Sequence, residues 1–238
     1  MRRRISLSLY IAAVAALLAG SAGAALAQGA PSTAVDSGAN DLPLLPLRGP
    51  GTYGVWIAAA RHSGYRTRTG VLGHRDFYLA NVRLAWALGG GDDPSRPVNG
   101  SYFIDIVPMA VSTSMPEYLW NSRCQPGTLC PGAKPILHDA YAIGLAPLGW
   151  ALTLGRGPAR LTIEASGGGL WFSRRVPDPE ATRFNFTASA GPTMEVRIRS
   201  GEILRIGYLW HHTSNGGTGR VNPGLNSGIL SFGMLWRR

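Results

Sequence analysis

Arg183–Ile198 reads RFNFTASAGPTMEVRI and is the most regular stretch of the chain. Apolar side chains occupy one parity of this stretch and polar side chains occupy the other. Successive side chains of a strand point to opposite faces, so the alternation predicts a β-strand with one oily and one wet face. The oily face comprises Phe184, Phe186, Ala188, Ala190, Met194, Val196 and Ile198, and the wet face Arg183, Asn185, Thr187, Ser189, Thr193, Glu195 and Arg197.

Similar segments follow one another from residue 51 to the C-terminus, separated by clusters of Gly, Pro, Asn and Asp and without a sustained helical period. We predict eight strands in an all-β domain. They run approximately from 51 to 61, 74 to 88, 100 to 112, 137 to 154, 160 to 173, 183 to 198, 202 to 213 and 225 to 237.

A soluble β-sandwich also has alternating strands, but three features favour an eight-stranded antiparallel transmembrane β-barrel. Most segments are ten residues or longer, close to the roughly 9 to 11 tilted residues that cross a bilayer. The connections are mostly long and short in turn, as they are in outer-membrane barrels. An even number of strands lets the sheet close, which leaves no unpaired edge in lipid. Aromatic residues on the oily faces are suited to interfacial girdles: Tyr78, Trp86, Tyr208, Trp210, Phe232 and Trp236.

The first 50 residues do not show this pattern. Three arginines, an apolar run from Ile5 to Leu18 and the A-x-A site at 25–27 predict a secretory signal peptide over residues 1–27, removed after Ala27. A retained membrane anchor is the alternative reading. Residues 28–50 are rich in Ala, Ser, Gly and Pro and are predicted to form a linker, which leaves 51–238 as the barrel domain.

Composition limits the partners. The chain has 238 residues, 45% apolar and 15% charged, and a formal net charge of +10, which indicates a globular protein rather than a disordered one. It stays basic without Arg2–Arg4. A basic protein suits nucleic acid, an anionic membrane surface or a phosphorylated glycolipid, and export favours the last two over nucleic acid. Loop solubility is the plainer explanation of the charge.

The two cysteines, Cys124 and Cys130, are close together in a segment full of turn-forming residues. In an exported protein such a pair is expected to form a local disulfide that braces a loop. A metal site would need further ligands nearby, and the sequence shows none, so neither a metal nor another cofactor is predicted.

The end of the seventh strand carries the candidate chemistry. His212 and Ser214 are two residues apart at the end of an alternating strand, so both are expected on one side, where a general base and a nucleophile become neighbours. Their parity is that of Tyr208 and Trp210, the side predicted to face lipid. Asn226 on the eighth strand has the same outward parity. Polar groups facing hydrocarbon cost free energy unless they are satisfied or functional, although a polar rim above the apolar band is the simpler reading.

These residues resemble a known family. The sequence His212-Thr-Ser214-Asn215-Gly-Gly217, followed by Asn222-Pro-Gly and a closing apolar strand, is similar to the C-terminal signature of the PagL-type lipid A 3-O-deacylases of the acyloxyacyl hydrolase family. The resemblance implies an eight-stranded barrel in the bacterial outer membrane. It also implies a serine esterase that removes the acyl chain at position 3 of lipid A with Ser, His and Glu and without metal.

Carried over by position, the resemblance implies roles for several residues. Ser214 would be the nucleophile and His212 its general base. The family glutamate corresponds to Asn226, whose amide can accept an imidazole N–H but cannot supply a negative charge. Candidates to stabilise the oxyanion are Asn215, Gly217 and Asn222, and Arg220 is a candidate for a lipid A phosphate; a tight, soluble loop is the alternative reading for these four.

Two functions therefore remain open. One is a lipid A esterase, in which Asn226 orients His212. The other is a non-catalytic outer-membrane barrel that binds lipopolysaccharide or has a structural role in the envelope. Retention of the serine, histidine and glycines favours the enzyme, and Asn226 favours the alternative. Both a monomer and a homodimer are compatible with the sequence.

Overall fold

The structure, a computed structural model, describes residues 50–66, 72–89, 95–117, 136–177, 181–199 and 201–237. The predicted signal peptide at 1–27, nearly all of the linker at 28–50, and both Cys124 and Cys130 lie outside the described residues. The description therefore concerns the predicted barrel domain.

The predicted fold class is confirmed, because eight antiparallel strands form a closed barrel in which each strand pairs with the next and β8 pairs with β1. No helix in the described part of the chain is long and apolar enough to cross a membrane. The strands are β1 (Thr52–Arg66), β2 (Leu72–Leu88), β3 (Val98–Glu117), β4 (Ile136–Leu154), β5 (Ala159–Val176), β6 (Thr182–Arg199), β7 (Glu202–Ser214) and β8 (Leu225–Arg237).

Several strands are longer than predicted, mainly at the end of the barrel where β7 ends and β8 begins, which we call the distal end. β3, for example, continues to Glu117 rather than to residue 112, and β1 continues to Arg66 rather than to residue 61. The additional residues are mostly polar or irregular in pattern. Alternation is a signal of two different environments, and it fades where backbone pairing continues beyond the apolar band.

The outer surface of the barrel is apolar. Large apolar side chains such as Ile143, Trp150 and Phe232 are half or more exposed and point away from the lumen. Aromatic contacts form near both ends: Tyr53 stacks on Trp236 where β1 begins and β8 ends, and Phe184 and Phe186 make an edge contact near the distal end. An apolar exterior flanked by aromatic bands is typical of a barrel that faces lipid.

The lumen is filled by charged side chains rather than by a purely apolar core. Arg83 Nη2 lies 2.7 Å from Asp105 Oδ2, and Arg83 Nη1 lies 2.5 Å from Glu164 Oε2. Arg205 Nη2 lies 2.6 Å from the same Glu164 oxygen. Glu195 extends this network through Arg205. Since the network joins β2 and β3 to β5, β6 and β7, it braces walls that are not neighbours in the sheet.

Three further contacts close the network. Trp56 Nε1 donates to Asp105 Oδ1 at 3.3 Å, Thr193 Oγ1 donates to Glu164 Oε1 at 3.2 Å, and the guanidinium of Arg83 lies 3.6 Å from the ring centroid of Phe103. Buried charges are tolerated only when they are paired and hydrogen-bonded, as Arg83, Asp105 and Glu164 are here. The side chains that fill this level of the lumen make the barrel a rigid scaffold and not an open pore.

Glu164→Gln tests the network. The variant removes the carboxylate that both Arg83 and Arg205 contact, which leaves two buried cations facing a neutral amide. Breaking a buried ion pair from one side costs about 3–5 kcal/mol. We expect a large fall in the urea midpoint of unfolding of the barrel in lipid vesicles. The matched control is Glu202→Gln at the β6–β7 turn, expected to change the midpoint little; equal midpoints for both variants would contradict the bracing role.

Candidate active site

The site is positioned by the alternation along β7. Arg205, Leu209 and His211 are buried in the lumen, whereas Tyr208 and Trp210 are 61% and 52% exposed on the outer surface. His212 and Ser214 share the parity of Tyr208 and Trp210, and both are partly exposed. The structure therefore places the imidazole and the hydroxyl on the outer face of the barrel, at the distal end.

Asn226 orients the imidazole of His212. The two residues are direct partners across the β7–β8 pairing, and His212 Nδ1 lies 2.8 Å from Asn226 Oδ1. An amide oxygen can only accept a hydrogen bond, so this contact requires the proton on Nδ1. In the neutral imidazole Nε2 is then unprotonated and able to accept a proton, which is the state that a general base needs.

Two further residues surround the imidazole, and the sequence did not single them out for this. The indole of Trp210 is nearly parallel to it, with ring centroids 5.8 Å apart and planes inclined by 11°. Gly224 lies beside its edge, since a Cβ at Gly224 would come within 2.7 Å of His212 Cε1. The contact with Trp210 follows from shared parity and was accessible to sequence reasoning. The contact with Gly224 depends on how the loop returns to β8.

Ser214 ends β7 and lies opposite Phe186 of β6. Two residues along a strand correspond to about 6.6 Å, a gap that a serine and a histidine side chain can close when they lean toward each other. Within the described residues, the Ser214 hydroxyl makes no hydrogen bond to His212. Catalytic hydrogen bonds often tighten only when substrate is bound, so an esterase does not require this bond in the free protein.

The loop from 215 to 224 is held by Asn215, which is 1% exposed. Its Nδ2 donates to the carbonyl of Val221 at 2.7 Å, and its Oδ1 accepts from the Gly217 amide at 3.0 Å. Its own amide donates to Asn222 Oδ1 at 3.1 Å. Gly216 and Gly217 have φ of 62° and 81°, a left-handed conformation that favours glycine. Asn215 thus organises the turn that follows Ser214.

This arrangement distinguishes the three oxyanion candidates. The side chain of Asn215 and the amide of Gly217 already have partners inside the loop. Asn222 is exposed and uses its Oδ1 to accept from Asn215, while its Nδ2 has no hydrogen-bond partner among the described residues. Of the three, Asn222 is therefore the one with a donor available to a ligand in this conformation.

The neighbouring histidine has a different environment. His211 is 3% exposed in the lumen, where its Nε2 lies 2.6 Å from Thr187 Oγ1 and its ring stacks on Phe77 at 5.0 Å. One residue of displacement along β7 separates a buried histidine from one on the outer face. Within the described ranges, no group of three or more His, Cys, Asp and Glu side chains could hold a metal ion.

Comparison with known proteins gives one family match. The family model described as Lipid A 3-O-deacylase (PagL) matches residues 125–234, which include β4 to β7 and most of β8. Among solved structures, the chain is similar to one described as the crystal structure of the outer membrane enzyme PagL, at 14% identity and a TM-score of 0.45, over 76% of this chain and 97% of that chain. No curated protein matches the chain.

Gly224→Ala tests the packing around the imidazole. The added methyl would lie within 2.7 Å of His212 Cε1, and the imidazole is the part able to move. We expect a folded barrel in which the separation of His212 Nδ1 and Asn226 Oδ1 exceeds hydrogen-bonding distance, as measured by crystallography. Gly64→Ala is the matched control, because Gly64 pairs with Asn226 from β1 and a Cβ there meets nothing within 4 Å. An unchanged hydrogen bond in Gly224→Ala would contradict this contact.

Proposed function

Because the chain matches the lipid A 3-O-deacylase (PagL) family over its C-terminal half, we propose that it is an outer-membrane esterase that removes an ester-linked acyl chain from lipid A. The observation that carries the proposal is the hydrogen bond from His212 Nδ1 to Asn226 Oδ1 at 2.8 Å. It leaves Nε2 free to accept a proton, on the same outer face as Ser214.

The position of the site selects the substrate class. His212 and Ser214 face outward at the distal end of an apolar barrel wall. A water-soluble ester has no need for a site that opens sideways into lipid, whereas the acyl ester linkages of lipid A lie at the boundary between sugar and hydrocarbon. Next to His212 across the sheet, the outward positions are occupied by Ala188 on β6 and Gly167 on β5. These small residues leave room for a substrate against the wall.

The chemistry proceeds through an acyl-enzyme. His212 Nε2 takes the proton of the Ser214 hydroxyl while Oγ bonds to the ester carbonyl carbon, and the carbonyl electrons move to its oxygen. As the tetrahedral intermediate collapses, the bond to the sugar oxygen breaks and His212 returns the proton to that oxygen. Water then repeats the sequence on the acyl-serine, releasing a fatty acid and restoring Ser214.

Asn226 serves this cycle as a neutral orienting group. It fixes the tautomer of His212 through Oδ1, as the asparagine does in Cys-His-Asn proteases. It adds no negative charge to stabilise the imidazolium that forms in each step. We therefore expect turnover below that of a Ser-His-Glu site, because replacing a triad carboxylate by an amide lowers the rate of a serine protease by about 10⁴.

Charge and donors in the loop support substrate binding. Asn222 Nδ2 is the donor we assign to the developing oxyanion, with Gly217 and Asn215 shaping the turn that carries it. Arg220 is exposed in the same loop and suits a lipid A phosphate, because guanidinium groups bind phosphates in a bidentate way. The basic character of the whole chain is consistent with an anionic glycolipid.

A second candidate function rests on Asn226 alone. If the neutral amide does not support turnover, the same outward face would bind lipopolysaccharide without cleaving it, and the braced lumen would serve a structural role in the envelope.

Ser214→Ala decides between these functions. Purified wild-type protein and the variant are incubated with lipid A in mixed micelles, and released fatty acid is measured by mass spectrometry. We expect release by the wild type and a fall to background in the variant, because the nucleophile is lost. Thr213→Ala is the control, since Thr213 is the adjacent residue but points into the lumen. Equal release by wild type and Ser214→Ala would overturn the esterase.

Asn226→Glu tests the orienting role. A carboxylate in contact with His212 Nδ1 would stabilise the imidazolium, so we expect kcat to rise by at least about tenfold. The corresponding change from amide to carboxylate in a serine protease raises kcat by about 10⁴. Asn226→Gln is the matched control, since it has the length of glutamate without its charge and is expected to lower kcat. A gain in Asn226→Gln equal to that in Asn226→Glu would show that length rather than charge limits the site.

A further inference from the structure

We propose that Trp210 is a positioning residue for this reaction: its indole holds the imidazole of His212 and stabilises the imidazolium form by a cation–π interaction. This inference rests on the proposed esterase function. It assigns to Trp210 the electrostatic role that Asn226, being neutral, does not supply.

The geometry of the two rings carries the inference. Trp210 and His212 project from the same outer face of β7, with centroids 5.8 Å apart and planes inclined by 11°. A cation within about 6 Å of an indole centroid is attracted by the negative π face of the ring, and tryptophan is the most effective aromatic residue in this role. The cross-strand partners of Trp210 are small, Ala190 on β6 and Gly228 on β8. The phenol of Tyr208 occupies the space over Gly228.

In the described parts of β6, β7 and β8, no carboxylate competes for this role near His212. On β6 the one acidic residue is Glu195, which is buried in the lumen and lies 3.3 Å from Arg205 Nε. β8 contains no acidic residue. On β7 the one acidic residue is Glu202, at the opposite end of the strand. Among the described residues of these three strands, the negative π face of Trp210 thus joins the amide oxygen of Asn226 against the imidazole, and no carboxylate does.

The surroundings strengthen the interaction. Trp210 is 52% exposed on the apolar outer face, which faces hydrocarbon rather than water in the membrane. Cation–π attraction grows when the partners are desolvated. Asn226 and Trp210 therefore divide the task of the family carboxylate: the amide sets the tautomer from one edge of the imidazole, and the indole stabilises the charge from its face.

A double-mutant cycle tests this division. Trp210→Leu and Trp210→Phe are made in the wild-type background and in Asn226→Glu, and kcat and KM are measured with lipid A in mixed micelles. In the wild-type background we expect kcat to fall about tenfold for Trp210→Leu and less for Trp210→Phe, with KM little changed. In Asn226→Glu, where a carboxylate already stabilises the charge, the loss should shrink to below about threefold.

Two controls separate electrostatics from shape. Phe232→Leu removes an outward aromatic residue of β8 that pairs with Ile206, four positions before Trp210 on β7, and it should leave kcat within about twofold. Site-specific incorporation of fluorinated tryptophans at 210 keeps the shape while lowering the π density of the ring, and kcat should fall stepwise with each added fluorine. Heat-modifiable mobility in gel electrophoresis verifies that each variant is a folded barrel.

Each outcome has a distinct meaning. Losses of equal size in both backgrounds, or a kcat insensitive to fluorination, would overturn the role of Trp210 while leaving a Ser214-dependent esterase in place. Release of fatty acid by the wild type no greater than by Ser214→Ala would overturn the proposed function, and the role of Trp210 with it. A fall in kcat that occurs in the wild-type background but not in Asn226→Glu, and that is graded by fluorination, supports the proposal.

Discussion

Closure of the sheet is the constraint on which the rest of the structure depends. In hydrocarbon no water can satisfy backbone N–H and C=O groups, so a sheet that faces lipid must pair every strand. The pairing of β1 with β8 meets this requirement. Closure also creates an interior, and the alternation of each strand then assigns every second residue to it. The same alternation that makes the exterior apolar places Arg83, Glu164 and Arg205 in the lumen, where they form ion pairs.

The candidate site is a local exception to this division. His212, Ser214 and Asn226 are polar residues at outward positions, whereas their neighbour His211 is buried in the lumen beside Thr187. A polar group that faces lipid requires a partner, and Asn226 supplies one for Nδ1 of His212. The braced lumen behind β7 contributes rigidity, so the strand ends that carry these residues are held in register. The proposed site therefore lies on a strand that the ion network braces from the lumen through Arg205.

Much of the fold could be predicted because alternation reports directly on two environments. The number of strands, their order and the outward parity of β7 were accessible from residues such as Tyr208 and Trp210. The ends of β1 and β3 were not, because polar residues beyond the apolar band no longer alternate although the backbone stays paired. In the loop, the sequence indicated a tight turn with candidate oxyanion groups but not its hydrogen bonds, in which Asn215 contacts Val221, Gly217 and Asn222.

By itself, the sequence determined the barrel class and the face on which the residues of regularly alternating strands such as β6 and β7 lie, because both follow from a period of two that local geometry imposes on a strand without bulges. It also determined which residue types lie on the outer face at the end of β7. Only the tertiary structure decided which atoms of these residues touch: the register between β7 and β8 brings Asn226 Oδ1 to His212 Nδ1, and the returning loop brings Gly224 against the imidazole. Register and loop path are set by pairing and packing between segments distant in the chain, and no local pattern encodes them.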